Sequence, residues 1–447
     1  MNDVKEHSEL FLPEDHPPAV VTFGLGLQHV LAMFGATVLA PILMGFNPNT
    51  AIFLSGIATI IFIVITNFKV PSYLGSSFAF IAAVGIASGY SGSGPNPNLD
   101  VALGGIFIAG LIYAIVAGLV IFVGPRFIER LLPDLVSGTI VAIIGISLAG
   151  VAISQIGSTG VGLASAFTTL LVVVLWSVYA PGRLVSPQRG KKSILRIIEV
   201  IPILIGGVVG YAFYFVCANI FGLADPVNTA AIQEADLIGL PEFTTPTFTV
   251  GAAITIAPVV IVLLAENLGH VKAIGAMMGR NLDDKIGKTF LGDAVGTMGS
   301  SALGGPGLTT YAENMAVMRF SNNFSSITFI AAGLIAIALG FSPKFGAIIL
   351  SIPLPVIGGL SLAMFGLITA AAGSIWQRGI KSGEINFLES RTLIVAGIGL
   401  VAGAGNLTFK VAGAEINGIV TATLITIALH WLLHIGKEKV SIPVEYE

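Results

Sequence analysis

PSYLGSSFAF, residues 71–80, and GGPGLTTYAEN, residues 304–314, interrupt two otherwise apolar runs in the same manner. Each mixes Gly, Pro, Ser or Thr with an aromatic residue, and neither reads as continuous helix. In hydrocarbon, N–H and C=O groups find no outside partner, so non-helical backbone survives at membrane depth only where protein covers it or it faces a cavity. The two stretches therefore predict places where the chain leaves the helix inside the protein. The alternative is a pair of packing kinks, and their corresponding positions in the two halves of the chain weigh against it.

The membrane premise comes from composition. The 447 residues are 55% apolar and only 10% charged, whereas soluble domains carry about 25% charged residues. Too few charges remain to cover a water-exposed surface. The apolar runs recur at roughly 17–25 residues, the length a bilayer core about 30 Å thick requires. Glycine (55) and proline (22) are abundant, as in transmembrane helices. The single Cys217 excludes a disulfide scaffold or a cysteine metal site. The opening MNDVKEHSELFLPEDHP is polar and acidic, so no cleavable signal peptide is expected.

Candidate membrane segments fall at 20–43, 49–67, 72–90, 101–124, 131–153, 162–180, 197–222, 245–270, 285–302, 308–319, 324–343, 352–375, 389–406 and 417–435. These fourteen segments, with both termini cytoplasmic, put 19 of the 21 Lys and Arg residues at cytoplasmic positions, all but Lys344 and Lys410. That satisfies the positive-inside rule. The acidic loop from Gly222 to Thr245 falls outside. Two sets of seven segments insert with opposite orientation, the inverted repeat common among secondary transporters. The expected fold is all-α and polytopic, with broken, extended stretches in segments three and ten.

Few ionisable residues lie in or at the ends of the apolar runs: His29, Glu266, His270, Asp293, Glu313, Arg319 and His430. Such groups are costly in a membrane and mark function by default. His430 lies near a helix end, where it can reach the interface. Glu266 and His270, in LLAENLGH, share a helix face at i and i+4. They either lock a bundle by a Glu–His hydrogen bond or present a carboxylate to the N–H groups of a solute, steadied by the histidine. Glu313, on the broken segment of the same half, supplies a second carboxylate. Asp293 is expected to hold backbone freed by the break. For His29 a satisfied core role and a helix-orienting role stand equal. Glu266, His270, Glu313 and Asp293 could in principle ligate a metal, but no His- or Cys-rich motif supports one, and no cofactor is expected.

The stretches GLQHVLAMFGATVLAPILMG (26–45), VPSYLGSSFAF (70–80), AENLGHVKAIGAMMGRN (265–281), TTYAEN (309–314), GFSPKFGA (340–347) and IPLPVIGG (352–359) resemble those of the nucleobase/ascorbate transporters. Within that family the chain is most similar to the pyrimidine permeases of the bacterial uracil-degradation operon. QH, E-x-x-x-H and EN occur in the family's order and spacing, and the resemblance covers nearly the whole chain.

The resemblance implies a core domain built from residues 20–124 and 245–343, and a gate domain built from 125–222 and 344–436. It leaves tails 1–19 and 437–447 and an extracytoplasmic loop at 223–244, and it implies a homodimer paired through the gates. Glu266 and Glu313 resemble the carboxylates that hold the base, and Phe78 and Ala312 the positions whose amides face its carbonyls. Ala36 and Tyr311 match pocket positions. His270 resembles the histidine linked to proton coupling, while His29 and Asn314 match residues that support the site. Uracil suits this set, since its flat edge offers two N–H donors and two carbonyl acceptors.

The implied activity is proton-coupled uptake of uracil, and of thymine as a related base, across the cytoplasmic membrane. The protein would be a carrier and not an enzyme. After Glu313 the run ENMAVMRFSN departs from the family signature: Ala316 replaces a glycine, Ser321 a threonine and Asn322 a basic residue. A xanthine or uric-acid permease is thus the alternative. A sulfate/bicarbonate-type anion exchanger would be repelled by the two carboxylates.

Overall fold

The apolar runs satisfy their backbone as helices, the form that needs no partner from lipid. The computed structural model describes residues 10–179 and 201–434. Most of the expected N-terminal tail, the whole C-terminal tail and the basic cluster from Arg183 to Arg196 lie outside the described residues. Among the described residues, eight helical spans are long and apolar enough to cross a membrane: Ala19–Met44, Pro48–Ile65, Leu99–Val123, Asp134–Ile156, Gly160–Tyr179, Pro202–Ile220, Val250–Met278 and Leu354–Lys381. A ninth is counted if Ser326–Gly340 and Pro343–Leu350, bent by 83° at their junction, form one span. The chain is a multi-pass membrane protein.

The helices pack in two groups. Ala19–Met44 and Pro48–Ile65 lie against Ser326–Gly340, and Leu99–Val123 lies against Ile286–Ala302. In the other group Leu354–Lys381 packs on Asp134–Ser147 and Gly160–Tyr179, and Ser390–Ala404 packs on Gly418–His434. Small residues set the spacing, because lipid supplies no hydrophobic drive between helices and close van der Waals contact must replace it. A Cβ on Gly56 would stand 2.5 Å from the carbonyl of Gly333, and one on Gly145 would stand 2.3 Å from that of Phe365.

Both quoted stretches leave the helix. Strand β1 (Leu74–Ser76) precedes helix Phe80–Ser88, and strand β2 (Leu308–Thr310) precedes helix Glu313–Ser321. The strands pair antiparallel, with Leu74 opposite Thr310 and Ser76 opposite Leu308. Flanking bonds extend the ladder: Ser77 N–H donates to Gly307 O (2.9 Å) and Tyr311 N–H to Tyr73 O (3.1 Å).

A two-stranded ladder leaves two outer edges, and a threonine covers each. The Leu74 amide donates to Thr59 Oγ1 at 2.9 Å. The Leu308 amide donates to Thr297 Oγ1 at 3.1 Å. Glycines let the two halves interlock. A Cβ on Gly75 would meet the Tyr311 ring at 2.4 Å, and one on Gly307 would meet the Phe80 ring at 2.2 Å.

Two features differ from the sequence reading. The span Val250–Met278 is interrupted at Ala257–Pro258, between the helical stretches Val250–Ile256 and Val259–Met278. The second runs well past His270, so Glu266 and His270 sit within a helix and not at its end. A small hairpin, β3 (Phe409–Val411) and β4 (Ala414–Ile416), joins helices Ser390–Ala404 and Gly418–His434. Its turn places Ala412 and Gly413 at φ 50° and 83°, the left-handed pair that matches strand twist in a two-residue hairpin.

Candidate functional site

The ladder fixes where the site forms, because both broken segments turn into helices just beyond it. Phe78 and Ala312 precede those helices, where backbone N–H groups have no intrahelical partner. Neither amide donates a hydrogen bond among the described residues. Glu313 follows as the first residue of Glu313–Ser321, in the first turn, where the helix dipole favours a negative charge.

Glu266 reaches the same place from the middle of Val259–Met278. Glu313 and Asp293 are the acidic neighbours of Glu266 there. Both glutamates are half-buried, and Glu266 Oε2 is buried without a hydrogen-bond partner. No ion pair reaches Glu266, Glu313 or Asp293 among the described residues. Carboxylates gathered without a cation require protons or a donor-bearing ligand.

His270 resolves one of the open readings. Its Nδ1 pairs with Thr310 Oγ1 at 3.0 Å, on the end of β2, and not with Glu266. The i, i+4 spacing put the two on one face, but the crossing offers the imidazole a better-placed hydroxyl. His29 bonds across helices. Asn314 Nδ2 donates to His29 Nδ1 (3.0 Å) and to its carbonyl (3.1 Å), tying the first helix to the one that carries Glu313. Phe329 packs against the buried imidazole, with ring centroids 4.4 Å apart.

Tyr311 lies across Gly75, donating to Ser76 O at 2.9 Å and accepting from Thr37 Oγ1 at 3.3 Å. Ala36, next to Thr37, is fully buried. Phe78 meets Phe365 of the other helix group edge to face, with centroids 5.6 Å apart. Asp293, expected to hold freed backbone, accepts from the side-chain Nδ2 of Asn267, and its Oδ1 is buried without a hydrogen-bond partner. Thr310, Asn267, Thr37 and Phe365 were not among the residues singled out from sequence. Asn267 had a signal, as a polar residue beside Glu266 in an apolar run. Among the described residues no group of three or more His, Cys, Asp and Glu side chains is arranged to hold a metal.

Membrane-length helices around a crossed pair of broken segments, with a polar site at the crossing, define a multi-pass transporter. The fold is similar to the transmembrane domain of the cyanobacterial bicarbonate transporter BicA, with TM-score 0.59 and 12% identity over 93% of this chain and 98% of that one. It is similar also to SLC26A9, with TM-score 0.62 and 12% identity over 93% of this chain and 65% of that one. Those likenesses concern the fold alone.

The chain belongs to the Permease family of xanthine/uracil type, whose profile matches residues 21–411. RutG of Escherichia coli (strain K12), named as a pyrimidine permease, is 41% identical over 99% of this chain and 96% of its own length. The uracil permease of Bacillus caldolyticus is 35% identical, over 94% of each chain. That of Escherichia coli (strain K12) is 34% identical over 93% of this chain and 92% of its own.

Proposed function

We propose that this protein takes up uracil, and thymine as a close relative, by proton-coupled alternating access across the cytoplasmic membrane. The observation that carries the reading is the pairing of two cation-free carboxylates, Glu266 and Glu313, with the two unpartnered amides of Phe78 and Ala312. Carboxylates accept the two N–H groups of the pyrimidine edge, and amides donate to its two carbonyls. A base that presents the wrong pattern leaves a buried group unpaired, at about 1–3 kcal/mol. Relatives named as uracil and pyrimidine permeases, similar over nearly the full chain, support the substrate class.

The proposed architecture has fourteen segments in two inverted repeats, with both termini cytoplasmic. Thr59 and Thr297, which cover equivalent strand edges, and the reciprocal glycine–aromatic contacts support the repeat. Residues 20–124 and 245–343 form the core domain, and 125–222 and 344–436 the gate, through which two copies pair. The grouping of helix contacts supports that division. In the cycle a proton joins the Glu266–His270 region, the base binds between the carboxylates, and the core moves against the gate. One proton crossing 100 mV supplies about 2.3 kcal/mol, enough to concentrate a neutral solute roughly several-tenfold.

Uptake of labelled uracil, thymine, xanthine and sulfate, each with and without a protonophore, tests the proposal. Uracil uptake that the protonophore abolishes is expected. Uptake of xanthine alone would favour the purine reading that Ala316, Ser321 and Asn322 leave open. Uptake of sulfate alone would reject the whole assignment.

A further inference from the structure

The helix that carries Glu313 is too short to hold itself. Glu313–Ser321 has nine residues, and isolated helices under about 12–15 residues are marginal in water. Its start is fixed by β2 and by the bond from Asn314 to His29. Its far end needs a separate fastening. Helix Phe80–Ser88, the counterpart after β1, also has nine residues, but it closes on its own loop. Asn96 Nδ2 donates to Ser88 Oγ at 2.9 Å, and Asn98 Nδ2 donates to Ser88 O at 2.9 Å. After Ser321 only residues 322–325 precede the next helix, too few to fold back in that way.

The stretch ahead of the first membrane helix supplies what this turn lacks. Phe11 pairs with Asn323 as a parallel bridge. Phe11 N–H donates to Asn322 O at 3.0 Å, Phe324 N–H to Phe11 O at 2.8 Å, and Ser326 N–H to Pro13 O at 3.1 Å. Ser325 Oγ donates to Asp15 O at 2.6 Å. Asn323, Ser325 and Ser326 are fully buried. Asn322, one of the departures from the family signature, ends the helix at φ 49°. Asparagine tolerates that left-handed conformation better than a lysine or arginine does.

The same stretch reaches the other carboxylate-bearing helix. Glu14 bonds Arg280 at 2.9 Å, just beyond the end of Val259–Met278, which carries Glu266. Exposed ion pairs add little, so the backbone bonds of Phe11 and Pro13 and the Ser325 hydroxyl carry the fastening.

We infer that residues 11–15 are a strap that positions Glu313 by fastening the far end of its helix, and that Ser325 is the side chain that locks the strap. The inference deepens the proposed function and rests on Glu313 as a carboxylate that holds the base.

Hydrogen exchange of the purified full chain in lipid vesicles, read by mass spectrometry without substrate, tests the fastening. S325A removes the donor to Asp15, and F11P removes the N–H that bonds Asn322. Losing one such bond should speed exchange at residues 317–321 by roughly three- to tenfold and leave residues 84–88 unchanged. Equal acceleration at both helices, or none at 317–321 in either variant, overturns the strap. Calorimetry then tests the positioning. Uracil binding should weaken by roughly threefold in S325A, and adding S325A to E313Q should weaken it no further. Unchanged binding in S325A despite faster exchange, or a further loss in the E313Q background, overturns the link to Glu313. The local exchange pattern in a protein that binds no uracil would reject the proposed function and leave the strap standing.

Discussion

The two broken segments share a scaffold and differ in chemistry. Each gives one strand to the ladder, one amide ahead of a helix, one glycine for the other's aromatic ring, and one edge covered by a threonine. The first then places Phe78 where its side chain packs on Phe365, while the second places a carboxylate, Glu313, at its helix start. The shared parts satisfy backbone that lipid would leave bare, a demand equal in both halves. The parts that differ are the ones proposed to read the ligand. One crossing can thus present donors from both sides and an anion from one.

The largest expected effect breaks this asymmetry. Replacing Glu313 by Gln removes a charged acceptor, and hydrogen bonds to charged groups are worth about 1.5–3 kcal/mol. Uracil binding measured by calorimetry should weaken by roughly ten- to a hundred-fold. F78L keeps the amide and a similar volume, and should cost under about 1.5 kcal/mol of stability. If F78L abolished binding while E313Q did not, the division of labour between the halves would be reversed.

Next come the interlocks. G75A and G307A drive a methyl into Tyr311 and Phe80 respectively, and overpacking of this kind costs about 1–3 kcal/mol. Thermal unfolding in detergent should show the two losses alike. T59V and T297V sharpen the comparison further, each leaving a strand-edge N–H unpaired at about 1–2 kcal/mol. A large inequality between them would argue that the threonine clamps are not equivalent.

The smallest effect lies away from the crossing. Glu14 bonds Lys69 at 2.7 Å and Arg280 at 2.9 Å. The Lys69 bond chiefly, with Arg280 adding to it, lowers the Glu14 carboxyl to about 2. The pairs are solvent-exposed, so they are worth about 0–1 kcal/mol. A lowered carboxylate stabilises the fold fully above its ordinary range, and the contribution disappears as pH falls toward about 2. E14Q should therefore unfold slightly earlier at neutral pH and match the unmodified protein in strong acid, as denaturation against pH will show.

What the sequence made legible follows the same division. PSYLGSSFAF and GGPGLTTYAEN announced the breaks, because Gly and Pro there are hard to reconcile with an uninterrupted helix. Glu266 and Glu313 stood out as charges in apolar runs. The partners did not stand out, since spacing along one helix says nothing of other elements. His270 was read against Glu266 and found Thr310 instead. The β3–β4 hairpin was missed although FKVAGAEI alternates about a two-residue turn, because alanine in place of asparagine before the glycine hid the turn.

The ladder has a consequence for synthesis. Its partners lie more than 230 residues apart in the chain, and at about 5–20 residues per second the second strand emerges on the order of 10–50 s after the first. Throughout that interval the 74–76 stretch sits in or beside the bilayer with one side uncovered. The nascent half-protein must be sheltered by the insertion machinery or by early helix contacts, and ribosome pausing between the halves should send chains to degradation rather than to a stable intermediate.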